Sequence, residues 1–156
     1  VDNGSPGNGE KVVSRAGTVQ NYKNRLLENA SDASNDLGFV IDTLIILALE
    51  NTETTHNVIV CTLCSCYPRN LLGLPPDWYK QRSYRSRIVK YPRKVLKEFG
   101  LHLSNDISIR VHDSTADMRY IVLPLRPKGT KKLSVEKLEA LVTRDSMIGV
   151  GLPKSI

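Results

Sequence analysis

A chain of 156 residues, 40% hydrophobic and 24% charged, has the length and make-up of one compact domain, with room for an appended arm. No apolar run reaches the length of a membrane span, and the start, "VDNGSPGNGE", lacks the basic and apolar regions of a signal peptide. The formal net charge of +6 is concentrated in residues 80–97, where Lys80, Arg82, Arg85, Arg87, Lys90, Arg93, Lys94 and Lys97 meet no acid; without a recognised binding motif this favours a solvated face or an acidic partner over nucleic acid.

In chain order, residues 1–15 are rich in Gly, Asn and Ser and read as a mobile lead-in. From Thr18, a potential N-cap, Val19, Tyr22, Leu26, Ala30, Ala33 and Leu37 recur at three- and four-residue steps up to Gly38. This predicts one amphipathic helix, an arm whose stripe must be buried on something. The β-branched runs 43–51 and 57–60, joined by polar "TETTH", predict strand, turn, strand. "LGLPPDW" (72–78) is a turn stiffened by Pro75 and Pro76. Helices follow over about 83–90 and 92–99, with Pro92 at a first position and Gly100 as a stop. "DISIRVHD" and "DMRYIVLPL" alternate around "STA" and predict a hairpin. "LSVEKLEALVTRD" closes as a helix capped by Ser134, with Val135, Leu138, Leu141 and Val142 on one face. The order predicts an α+β fold, a layered α-β-β-α domain over 39–156 preceded by a lead-in and helical arm over 1–38.

All three cysteines, Cys61, Cys64 and Cys66, fall in "VCTLCSC". Isolated buried cysteines need no function, but three in C-x-x-C-x-C beside a turn are poorly explained by packing. A redox pair leaves Cys66 surplus and lacks a thioredoxin-like surround. Zinc needs a fourth ligand, for which His56, five residues upstream of Cys61, is within reach while His102 and His112 sit in the later strand region. The one-residue gap offers another arrangement. If Cys64 and Cys66 bind one metal, the amide nitrogens of Ser65 and Cys66 lie between them and, deprotonated, complete a planar S₂N₂ set. Cys61 then caps one axial side and leaves the other open. Such a set suits a strongly Lewis-acidic transition metal rather than tetrahedral zinc, although spacing does not identify the element.

At these residues the chain resembles the metal-binding α subunit of nitrile hydratase. "VCTLCSC" is similar to that family's metal motif, and the likeness continues through "LGLPPDWYK", "YRSRIVKYPRKVL", "IRVHDSTADMRYIVLPLRPKGT" and "LVTRDSMIGVG", over roughly residues 18–151. The resemblance implies Cys61 as axial thiolate, Cys64 and Cys66 as equatorial sulfurs, and the amides of Ser65 and Cys66 as equatorial nitrogens. It implies oxidation of Cys64 to sulfinic and Cys66 to sulfenic acid. The metal would be low-spin non-corrin Co(III), or Fe(III); Thr62 and Tyr67 resemble the cobalt type. The implied reaction is nitrile hydration to an amide, with Cys66, Ser65 and Cys64 as the catalytic set and Ser65 holding oxidised sulfurs or substrate. Implied partners are a β subunit, in some members split into two chains, within a larger heteromer wrapped by the N-terminal helix, and a metallochaperone or activator. Apart from the resemblance, three clustered cysteines make no disulfide framework, which favours a cytoplasmic setting.

The chain departs from the pattern just after the motif. Cobalt members typically read "CYPWPVLGLPP" where this chain reads "CYPRNLLGLPP", so Arg69 and Asn70, with Tyr67 beside them, become the substrate-pocket candidates. A cation there could receive an anionic or polar substrate, or pair with a partner's acid. "CYPR" also resembles the cobalt subunit of thiocyanate hydrolase, which converts thiocyanate to carbonyl sulfide and ammonia. Members acting on nucleoside nitriles such as toyocamycin offer a third reading. A non-catalytic thiolate metal-binding protein is the reading from another class. His112, where the family often has Trp, reads as structural.

Overall fold

The computed structural model describes residues 7–38 and 45–156. It has the mixed helix and strand content of an α+β fold. Three helices, α1 (Asn8–Thr18), α2 (Gln20–Glu28) and α3 (Ala30–Asn35), precede strands β1 (Ile45–Glu50) and β2 (Thr55–Val60). Four helices follow: α4 (Arg69–Leu72), α5 (Asp77–Lys80), α6 (Arg82–Lys90) and α7 (Pro92–Glu98). Strands β3 (Ser108–Asp113) and β4 (Met118–Leu123) lead to α8 (Val135–Glu139) and α9 (Arg144–Ile148).

The strands fall where the β-branched runs predict them, apart from residues 43 and 44, which lie outside the described residues, but their partners differ. The hairpin expected around "STA" does not form, and β1 and β2 do not pair with each other. β1 pairs in parallel with β4, Ile45 opposite Met118, and β2 pairs in parallel with β3, Thr55 opposite Ser108 and Val60 opposite Asp113. Tight hairpin turns need residues at positive φ; the links 51–54 and 114–117 contain no glycine, and no non-glycine residue has positive φ among the described residues. The Asn51 side chain instead accepts from the Asn57 N–H at 2.7 Å, binding the first link to itself. Parallel pairing needs a long crossover, and α4–α7 supply it between β2 and β3. The unbroken run Val58–Ile59–Val60, all three wholly buried, is the pattern of such a strand.

The N-terminal region also departs from expectation. Residues 8–15 are helical rather than a loose lead-in, and Val12 and Val13 are buried where α1 packs on α8 and α4. The single helix expected from Thr18 is divided. Thr18 ends α1, and Asn29 turns to extended backbone (φ −151°) and caps α3 by accepting from the Asp32 N–H. The apolar stripe survives the breaks: Tyr22, Leu26, Ala30 and Ala33 are all buried, and Tyr22 donates to the Ala33 carbonyl at 3.1 Å. α2 and α3 lay that stripe on β1 of the same chain. Arg25 and Asp36 pair across α2 and α3.

Pro92 opens α7 and Gly100, at φ 90°, follows its end, as the sequence predicts. Ser134 caps α8 by accepting from the Lys137 N–H, but the closing helix stops at Glu139, and Thr143 begins α9 with a capping box shared with Ser146. Gly149 ends α9 at φ 101°, and a Cβ there would lie 2.2 Å from the Asn57 carbonyl oxygen. Only glycine lets α9 approach β2 this closely. Among the described residues no helix is long and apolar enough to cross a membrane.

Candidate metal centre

The three cysteines follow directly on β2, where the chain leaves the core. Cys61 is 1% exposed and Cys66 8%, while Cys64 between them is exposed. Their sulfurs converge: Cys61 to Cys64 is 3.2 Å, Cys64 to Cys66 is 2.9 Å, and all three lie within 4.8 Å of one another. Two sulfurs about 2.3 Å from a shared metal stand about 3.3 Å apart at a right angle and about 3.8 Å apart at a tetrahedral one. The Cys61–Cys64 spacing is close to the right-angle value, and the Cys64–Cys66 spacing is shorter than either. Both spacings about Cys64 thus lie nearer a right-angle arrangement of sulfurs than the wider one of tetrahedral zinc.

The electrostatics single out Cys64. Its thiol is brought down to about 7 by hydrogen bonds, first from Cys66 and then from Cys61, with the backbone N–H groups of Cys66 and Ser65 adding to the effect. Burial pushes Cys66 up to about 12, and its hydrogen bond to Cys64 acts in the same direction. Of Cys64 and Cys66, Cys64 is thus the first to become a thiolate, with two neighbouring thiols and two backbone amides converging on its sulfur. The Cys64 N–H donates to the Cys61 sulfur at 3.3 Å.

Side chains from outside the motif hold the loop in this shape. Asp113, at the end of β3, accepts from the Thr62 N–H at 2.9 Å and from the Thr62 hydroxyl at 2.6 Å. The Tyr79 hydroxyl, on α5, donates to the Cys66 carbonyl at 2.8 Å. Arg119, on β4, donates to the Tyr67 carbonyl at 2.9 Å and to the carbonyls of Thr115 and Ala116. The Tyr84 hydroxyl, on α6, donates to the Ile59 carbonyl at 2.7 Å just before the motif, and Arg85 leans over the carbonyls of Thr62 and Cys64 at 3.4 and 3.5 Å. These residues complete the site from both ladders and two helices. They lie in the segments that resemble the family, but nothing local to them marks a role.

The other predicted residues are placed as follows. Ser65 is half-buried between Cys64 and Cys66. Arg69 opens α4 with its side chain exposed, and Asn70 beside it is half-buried, its carbonyl accepting from the Asn8 side chain at 2.9 Å. Tyr67 is not at an open surface: it is wholly buried, its ring edge-on to Tyr79 at 5.0 Å, and so underlies the loop instead of lining a pocket. His56 does not join the sulfurs. It is buried with both ring nitrogens engaged, Nε2 donating to the Gly149 carbonyl at 2.6 Å and Nδ1 accepting from Asn51 at 3.3 Å. His112 is structural, as its sequence position suggests: Nε2 donates to Asn57 Oδ1 at 2.9 Å, and the ring lies beside Tyr120. Among the described residues, the cluster able to hold an ion consists of the three cysteines.

The profile of the family described as "Nitrile hydratase, alpha chain" matches residues 1–151. The low-molecular-weight cobalt-containing nitrile hydratase subunit alpha of Rhodococcus rhodochrous is 51% identical over 146 residues, which are 93% of this chain and 70% of that protein. Among solved structures, a double-histidine variant of the Fe-type nitrile hydratase from Comamonas testosteroni Ni1 superposes with a TM-score of 0.92 at 48% identity, over 96% of this chain and 74% of the other. A recombinant thiocyanate hydrolase with partially modified cobalt centres superposes with a TM-score of 0.91 at 40% identity, over 96% of this chain and 75% of the other.

Proposed function

The chain belongs to the nitrile hydratase alpha-chain family, and from that premise we propose that it is the metal-holding subunit of a cobalt enzyme hydrating a nitrile to the amide in the cytoplasm, together with a β partner. The observation that carries this reading is the convergence of three sulfurs at the end of β2 on a loop fixed by Asp113, Tyr79 and Arg119.

Cys61, Cys64 and Cys66 would hold the metal by sulfur, with the amides of Ser65 and Cys66 as nitrogen donors. Cobalt is favoured by Thr62 and Tyr67 and by the cobalt-containing relative. When bound, the metal supplies Lewis acidity toward nitrile or water. Cys64 is exposed and readily ionised, which suits its oxidation to the sulfinate by a small oxidant from solution such as dioxygen, and Cys66 would carry the sulfenate formed by the same oxidant. The sulfenate oxygen of Cys66 acts as base or nucleophile: as base it takes a proton from the water whose oxygen bonds to the nitrile carbon, and returns it to the nitrile nitrogen. Net, one water adds across the carbon–nitrogen triple bond to give the imidic acid, whose hydroxyl proton then moves to nitrogen to form the amide, and nothing leaves. Ser65, between the two oxidised cysteines, orients their oxygens or the substrate. Buried Cys61 closes the core side, so substrate approaches over Cys64.

Arg69 supports a second reading. An exposed cation three residues past Cys66 suits the thiocyanate anion, and a thiocyanate hydrolase is similar to this chain throughout. Co-expression with the partner subunits and assay against a simple nitrile, a nucleoside nitrile and thiocyanate separates the two. Turnover of a nitrile is expected, whereas turnover of thiocyanate alone refutes the first reading. Elemental analysis should find cobalt, and mass spectrometry of the cysteine peptide should find the added oxygens; zinc with unoxidised cysteines in active protein would sink the catalytic proposal. Arg69→Trp should shift substrate preference and leave the metal bound.

A further inference from the structure

The basic run of residues 80–97 takes no part in the metal centre beyond Arg85 and Tyr84, and the structure divides its cations into two groups. Three are already engaged: Arg85 over the loop carbonyls, Arg87 with Glu98 at 2.5 Å, and Arg93 with the carbonyls of Leu103, Ser104 and Ile107. Lys80, Arg82, Lys90, Lys94 and Lys97 are exposed and form no ion pair among the described residues. Lys90, Lys94 and Lys97 gather around two adjoining depressions of about 360 and 410 Å³ that share Arg93 and Lys94. Their walls include Leu101 and Ile109 as well as Tyr91, which is 58% exposed, and no acid lines either one.

We propose that this α6–α7 face docks an acidic segment of a protein partner. A cluster of one sign repels itself, and carboxylates relieve that repulsion while steering the encounter. The mixture of apolar walls and lysines decides the kind of partner. Inorganic anions have no use for Tyr91, Leu101 and Ile109, whereas a peptide with alternating acidic and apolar side chains covers both kinds of surface. A nucleic acid is less well served. The free cations at the depressions are lysines, point charges without the guanidinium fork, and one exposed ring is not a platform for successive bases. This inference does not depend on the chemistry assigned to the cysteines.

The test is fluorescence anisotropy with the full chain and a labelled peptide of about twelve residues repeating Glu-Ser-Glu-Leu, beside its Gln-for-Glu version and single-stranded DNA of equal length. The acidic peptide should bind, more weakly as salt rises, and the Gln peptide should not. K90E/K94E/K97E should weaken binding at least ~10-fold, and the same charge change placed elsewhere, K128E/K131E/K132E, should change it less than ~2-fold. Circular dichroism checks the fold of each variant, and K90Q/K94Q/K97Q, with a smaller loss expected, serves if the reversal unfolds. Equal losses in the two reversed variants, DNA binding as tight as the acidic peptide, or no binding of the acidic peptide overturns the proposal.

Discussion

Asp113 and Gly149 show how much of the centre and the strand leading to it rests on single side chains, or on the absence of one, far along the chain from the cysteines. Asp113 holds the first turn of the loop through two hydrogen bonds to Thr62. Asp113→Ala removes both at an exposed position, and a loss of about 1–2 kcal/mol, roughly 4 °C in Tm, is expected. Metal content should fall further than that small loss suggests, because the sulfurs lose the anchor that sets their spacing; metal analysis beside a thermal melt separates the two effects. Metal content equal to wild type would show that Asp113 does not shape the loop. Gly149→Ala should act oppositely, on the fold first. The added methyl meets the Asn57 carbonyl and the Val58 Cα at a backbone conformation that L side chains rarely adopt. A loss on the order of 3 kcal/mol is expected by chemical denaturation.

At the scale of elements, β1, β2, β3 and α9 are tied together by a buried polar chain: His112 to Asn57, Asn57 to Asn51 and to the Glu50 carbonyl, Asn51 to His56, and His56 to the Gly149 carbonyl. Burial, the largest influence, lowers the pKa of His56 against the Gly149 hydrogen bond, which favours the charged form. Burial likewise lowers His112, helped by Arg110. Both imidazoles are therefore held neutral in the fold, so their contribution is complete above the unfolded value of about 6.5 and is lost as pH falls from there toward the folded values. Denaturation midpoints at neutral and mildly acidic pH should differ by at most about 1.4 kcal/mol per pH unit for each histidine, and His56→Gln should flatten the slope. The same elements show what the sequence makes legible. Strand positions follow from local β-branched runs, and the metal motif is contained in six residues, so both can be read directly. Strand partners cannot, because the choice between neighbour and distant strand is made by burial on both faces. The single helix expected from Val19 to Leu37 fails for a related reason: a stripe of constant period does not register the Asn29 cap that interrupts it. Tyr79, Arg119 and Asp113 come to the loop from 13, 52 and 51 residues along the chain, and no local pattern announces them.

Across the whole molecule, four tyrosines join the core. Tyr67, Tyr79 and Tyr84 pack ring against ring beneath the metal loop, and Tyr22 lies buried at α2. Burial raises all four above the ordinary phenol value, Tyr22 to about 12 and the others in the same direction. Their contribution is intact below the unfolded value of about 10 and declines as pH rises beyond it. An alkaline titration followed by tyrosinate absorbance should show these four ionising together with unfolding, and ionisation while the circular dichroism stays native would contradict their burial. The nested strand pairing has a further consequence, in the order of events during synthesis. The cysteines leave the ribosome well before two of their anchors exist: Asp113 follows Thr62 by 51 residues, and Arg119 follows Tyr67 by 52. A nascent chain with only its thiols exposed has no claw, just three loose sulfurs open to any metal or oxidant. Faithful loading is therefore expected only once translation has passed Arg119.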